Sequence, residues 1–157
     1  MELLCNFCMN KLSSTDQPCP FCGRKASVET PPHRLLPGTI LNKKFYVGEA
    51  IGEGGFGITY IGMDLNLDLK VAIKEYYPVT LVNRNNTVAA NVNETVTDNK
   101  REFFLKGRER FMQEAKILAR FSHENGIVEV RDFFEENNTA YIVMEYLDGV
   151  SLESSDY

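Results

Sequence analysis

The chain lacks any apolar run long enough to cross a bilayer. Its longest, residues 140–144, is five residues, against the ~20 that a membrane-spanning helix needs. It also lacks a basic excess: 17 Lys and Arg stand against 22 Asp and Glu, for a formal charge of −5 and a sequence pI near 5.1. That balance repels phosphate backbones and anionic lipid, so neither nucleic acid nor a membrane surface is an expected partner. A secretory leader is not legible, because Met1-Glu2-Leu3-Leu4 has neither a basic start nor an apolar core. Low-complexity tracts and internal repeats are missing too, and 43% hydrophobic with 25% charged residues is the composition of a folded globular chain. The expectation is a soluble, cytoplasmic protein.

Cysteine is scarce but concentrated. All four, Cys5, Cys8, Cys19 and Cys22, lie in two Cys-x-x-Cys pairs with ten residues between them. Each pair forms a knuckle that can direct two thiolates at one ion, and Gly23 permits the turn after the second. A disulfide framework would need an oxidising compartment; disulfides or free thiols remain the alternatives to a structural, tetrahedral Zn2+ site without an open position. Residues 1–25 hold too little apolar material for a core of their own, so metal binding would supply their folding energy. Lys11, Arg24 and Lys25 against Glu2 and Asp16 give +1, and four thiolates on one zinc ion bring this to about −1, a poor phosphate binder.

The densest signal is Ile51-Gly52-Glu53-Gly54-Gly55-Phe56-Gly57-Ile58-Thr59-Tyr60, followed by Val71-Ala72-Ile73-Lys74. Gly-x-Gly-x-x-Gly spacing lets a turn lie against phosphates, because no Cβ blocks the approach, and Lys74 adds a cation. The same spacing opens dinucleotide folds, but there the third glycine starts a helix. Here Ile58-Thr59-Tyr60-Ile61 is β-branched and aromatic with no helical period, so the turn joins strand to strand.

Downstream, Phe111, Ala115 and Leu118 recur at helical spacing and predict a helix over residues 109–121. Glu114 falls within that apolar stripe, where a carboxylate either finds a buried partner, with Lys74 the candidate, or snorkels to solvent at the stripe edge. Residues 127–134 and 140–146 read as a hairpin around Asn137 and Asn138, which tolerate the left-handed conformation such turns require. Pro31, Pro32 and Pro37 make residues 26–39 an extended linker between independent domains, with His33 in solvated loop. The polar insertion 79–100 shows alternation at 86–88 and 93–96 that hints at a small hairpin; it is either a docking surface or a flexible loop. Asp132, in Arg131-Asp132-Phe133-Phe134, reads as an ordinary strand or turn residue.

The glycine loop, the Val-Ala-Ile-Lys strand and Lys74-Glu75-Tyr76-Tyr77-Pro78 together resemble the N-terminal lobe of bacterial serine/threonine protein kinases. The resemblance implies an α+β fold: a five-stranded antiparallel sheet plus one αC-type helix over residues 40–157, preceded by the zinc ribbon (1–25) and linker (26–39). It implies ATP, with Mg2+ in an intact kinase, as cofactor and a protein substrate as partner. Ile51, Thr59 and Ala72 would roof the adenine, Thr59 replacing the family's usual valine. Met144 would guard the back pocket, and Glu145 and Leu147 would offer hinge backbone groups. Gly52 to Gly57, including Glu53, Gly54, Gly55 and Phe56, would cradle the phosphates, and Lys74, oriented by Glu114, would bind them. His123 would be structural. His-Arg-Asp and Asp-Phe-Gly motifs do not occur in the sequence, so the chain reads as part of a kinase without turnover of its own, the alternative being a noncatalytic nucleotide-binding or adaptor module with a zinc-ribbon interaction domain; either way an exposed inter-lobe face would invite self-association.

Overall fold

The computed structural model describes residues 3–14, 17–25, 29–94, 97–121 and 129–146. Their sheet runs in the order β3-β4-β5-β6-β10-β9, antiparallel throughout. Its members are β3 (Ile40–Leu41), β4 (Phe45–Glu53), β5 (Gly57–Asp64), β6 (Leu69–Tyr76), β9 (Val130–Glu136) and β10 (Thr139–Glu145). The five longer strands are those expected; the two-residue β3 adds a sixth at the edge. Asn137 and Asn138, at φ +54° and +58°, form the two-residue turn between β9 and β10 that matches the right-handed twist of a hairpin. Asp132 lies within β9, as an ordinary strand residue.

Strand alternation assigns the two faces. On β6, Ala72, Lys74 and Tyr76 point one way and Val71, Ile73 and Glu75 the other. Helix α1 (Asp98–Arg120) covers the Tyr76 side, with the rings of Phe104 and Phe111 centred 5.5 and 5.6 Å from that of Tyr76. The helix starts eleven residues before the expected position, absorbing the end of the polar insertion. Gly107 explains how it packs so closely. A Cβ there would lie 2.1 Å from the Tyr76 hydroxyl, which is itself buried and donates to the Phe104 carbonyl at 3.0 Å. Gly107→Ala is therefore expected to destabilise the protein by about 1–2 kcal/mol in urea unfolding, overpacking outweighing the helix propensity that alanine brings.

The opposite face carries a second layer that the sequence reading assigned to linker and loop. Residues 31–36 lie flat against it: Leu35 is fully buried, and its amide donates to the Tyr60 hydroxyl at 3.0 Å. The insertion closes over the same face with β7 (Val82–Asn83) and β8 (Asn93–Glu94), burying Val82 and Val92 in the main core. A small hairpin thus exists, though its first strand precedes the stretch expected to form it. Neither segment is a spacer. The apolar side chain of Leu35 overrides the extended preference of its prolines by finding a sheet face to cover.

The cysteine segment contains β1 (Leu3–Leu4) and β2 (Lys11–Leu12). Its two knuckles are near copies: Met9 and Gly23 donate to the carbonyls of Cys5 and Cys19, each at 2.8 Å, and both adopt positive φ, +65° and +79°. Leu4 and Met9 pack on Tyr46 and Ile61 of the lobe. Gly48 makes room, since a Cβ there would meet the Asn6 carbonyl and Met9 Cε, each at 2.5 Å. Asn6 also accepts from the Glu49 amide at 2.8 Å and from the Tyr46 hydroxyl at 2.7 Å.

Candidate functional site

Strands β4 and β5 run into each other through the tip 54–56 and, with β6, β10 and α1, enclose a cavity of 770 Å³. Ile51, Gly52, Glu53, Gly54, Gly55, Phe56, Gly57, Thr59, Lys74, Glu114 and Met144 all line it. Ala72 is fully buried, opposite Ile61 on β5 and Met144 on β10. Glu145 ends β10, its amide donating to the Glu129 carbonyl at 3.0 Å. Leu147 and His123 lie outside the described residues.

The glycines divide into two kinds. Gly57 is required by the protein itself, because a Cβ would stand 2.8 Å from the Glu75 carbonyl. At Gly52, Gly54 and Gly55 a Cβ would meet no described atom within 4 Å, and none of the three has positive φ. Neither packing nor backbone conformation calls for glycine there, and the missing Cβ leaves bare backbone along the cavity wall. The tip is tied down at its carbonyls: Tyr77 donates to Phe56 at 2.9 Å and Val79 to Gly55 at 3.1 Å. Phe56 remains 80% exposed.

Lys74 is half-buried and faces the cavity, opposite Thr59 and Ile142. Glu114 shares the cavity, yet it is exposed rather than held inside the apolar stripe. The stripe runs through Phe104, Phe111 and Ala115, and Glu114 sits at its border, where a long side chain reaches solvent. The structure also brings Phe103 and Lys106 of α1 to the cavity wall, residues missed because the helix was begun too late, together with Arg110, which lies within the expected helix. Phe103 and Phe104, eight and seven positions before Phe111, carried the missing signal.

A second omission lies directly behind Lys74. Glu75 and Arg84 form an ion pair with both side chains fully buried, the guanidinium reaching both carboxylate oxygens. Tyr60 and Tyr141 donate to the same carboxylate at 3.0 and 2.7 Å, and Arg84 also donates to the carbonyls of Ala90 and His33, each at 2.9 Å. Burial pushes both phenols above their ordinary range, keeping them donors. Burial would lower the Arg84 pKa, but the hydrogen bonds and charge of Glu75 outweigh it and raise it.

The four cysteines are unbridged, with all sulfurs within 4.8 Å of one another. Cys5 and Cys22 are 3.6 Å apart and Cys8 and Cys19 3.7 Å. A tetrahedral ion bound by sulfur at about 2.3 Å requires edges of roughly 3.8 Å, so the donor set fits zinc. Burial pushes the Cys5 thiol up to about 12. At Cys19 burial is outweighed by the Cys22 and Phe21 amides, bringing it down to about 7.

Residues 45–156 match the protein kinase domain family, and the chain belongs to it. It is 34% identical over 116 residues to a probable serine/threonine-protein kinase of Clostridium acetobutylicum, covering 74% of this chain and 14% of that protein. It is 32% identical over 123 residues to the serine/threonine-protein kinase PrkC of Bacillus subtilis, covering 76% and 15%. The solved apo form of PpkA-294 is similar in fold, with TM-score 0.68 and 40% identity, over 77% of this chain and 41% of that one. The chain therefore represents the N-terminal lobe of a kinase domain related to bacterial serine/threonine kinases, and spans less than half the length of each of these relatives. Among the described residues no helix is long and apolar enough to cross a membrane.

Proposed function

We propose that the cavity is the ATP site of a serine/threonine protein kinase and that this lobe supplies the nucleotide-binding half of a domain transferring a phosphoryl group to a protein hydroxyl. The observation that carries this reading is the trio Gly52, Gly54 and Gly55, glycines which the protein needs for neither packing nor conformation and which leave backbone exposed to a phosphate. In this reading Lys74 binds the phosphates and Glu114 orients it. Ile51, Thr59 and Ala72 cover the adenine; Met144 limits the pocket's depth. Glu145 and Leu147 present hinge backbone groups. Mg2+ would accompany the triphosphate and neutralise charge on it. Cys5, Cys8, Cys19 and Cys22 would hold a structural Zn2+, and four unbridged thiols suit a reducing, cytoplasmic setting.

Lys74→Ala tests the reading. Loss of a charge-assisted contact of about 1.5–3 kcal/mol should weaken ATP binding by roughly 10- to 100-fold in titration calorimetry, leaving the unfolding midpoint within a degree or two. Unchanged affinity in a folded variant would overturn the assignment.

A further inference from the structure

The linker reaches the glycine loop. Glu53 ends β4 at the base of the flap, and one of its carboxylate oxygens accepts from His33 Nε2 at 2.8 Å and from Arg34 Nε at 2.9 Å. Both donors lie outside the residues that match the kinase family, which begin at 45. Hydrogen bonds hold their backbone in place. Asn86 donates through its side chain to the carbonyls of Pro31 and Arg34, at 3.0 and 2.9 Å, and through its amide to that of Pro32 at 2.9 Å. The next residue, Leu35, is anchored in the core, and Arg84 takes the His33 carbonyl. The contact is electrostatically consistent. Partial burial would raise the Glu53 carboxyl pKa, but the Arg34 and His33 hydrogen bonds outweigh it and lower it.

We propose that residues 31–36, seated on the insertion, are an intramolecular brace whose Arg34 and His33 position the glycine loop by holding Glu53. The brace fixes the base of the flap, while the Tyr77 and Val79 amides hold the tip carbonyls. The ordering of the loop is thus achieved before a ligand arrives, which favours binding of groups that meet the loop. Arg34 and His33 are positioning residues: they act through Glu53. The insertion, without evident purpose in the sequence, serves as the platform on which the brace sits.

The functional part of the proposal rests on the ATP reading above; its structural part does not. Two readouts separate them. In ligand-free full-length chain, hydrogen exchange at the Gly54, Tyr77 and Val79 amides reports flap order directly, since these amides make the loop's bonds. Arg34→Ala should speed their exchange by about three- to fivefold, the effect of one partly exposed ion pair. Glu53→Ala should do the same, and adding Arg34→Ala to it should change nothing more. In titrations, Arg34→Ala should weaken ATP by about threefold and leave adenosine unchanged, because only the phosphates meet the flap. Unaltered exchange in Arg34→Ala, additive effects with Glu53→Ala, or equal losses for ATP and adenosine would each overturn the brace. If the wild-type chain binds no ATP, the nucleotide reading fails and the exchange cycle alone decides the brace.

Discussion

Chelation of the zinc ion proposed at Cys5, Cys8, Cys19 and Cys22 is expected to release one ion per chain and to unfold the cysteine segment while the sheet survives. The segment's own buried apolar side chains are few, chiefly Leu4 and Met9, and its strands β1 and β2 are two residues each. So small a core does not outweigh chain entropy. With zinc bound as proposed, the binding free energy of a structural four-sulfur site, on the order of 10–16 kcal/mol at neutral pH, would supply the folding energy of this segment. The lobe will register the loss. Tyr46 and Ile61, both buried, are covered by Leu4 and Met9, and exposing them should lower the lobe's unfolding midpoint by several degrees. The check combines a chromogenic zinc assay with amide spectra. Signals of residues 3–25 should collapse to disordered positions on chelation, those of β5 and β6 should persist, and Cys19→Ser should reproduce the chelated spectrum. Retention of the native signals in metal-free protein would show that packing on the lobe suffices.

What could be read from the sequence depended on whether a residue's partner lay nearby in the chain. The glycine turn, the Val71–Lys74 strand and the Asn137–Asn138 turn are local patterns, and the structure reproduces them. The cysteine pairs were legible for the same reason: the chemistry of four thiols at that spacing needs no knowledge of the fold. Helix α1 was found only in its second half, because Gly107 weakens local propensity and the residues before it follow directly on the polar insertion. Its first half is fixed instead by Tyr76, which lies 28 residues from Phe104. Arg84 sits in a stretch of asparagines that reads as loop, and nothing local marks it as buried. Glu75 was more visible. It interrupts an apolar strand, and alternation sets it on the face opposite Lys74, so a buried partner on that side was implied. Residues 31–36 were misread because proline and glycine signal an absent helix more clearly than they signal an absent contact.

Arg84→Met is expected to destabilise the fold by about 3–5 kcal/mol, because the substitution leaves the Glu75 carboxylate buried with no countercharge. Both side chains are fully buried, so solvent has no access to relieve the loss. The comparison variant is the double Glu75→Gln/Arg84→Met, in which the amide oxygen accepts from one of the Tyr60 and Tyr141 hydroxyls, the amide NH2 donates to the other, and no charge is stranded. It should recover most of the deficit, since replacing a whole buried ion pair is often near neutral. Urea unfolding of the wild type, both singles and the double gives the coupling energy directly. Equal instability of the double and the Arg84 single would show instead that the hydrogen bonds from Arg84 to the Ala90 and His33 carbonyls dominate. The location of the pair links stability to the site. Glu75 adjoins Lys74 on the same strand and faces away from the cavity, while Arg84 grips the carbonyl of His33, one of the two donors to Glu53. The single variant should therefore also loosen the flap, speeding exchange at the Tyr77 and Val79 amides beyond what global unfolding accounts for.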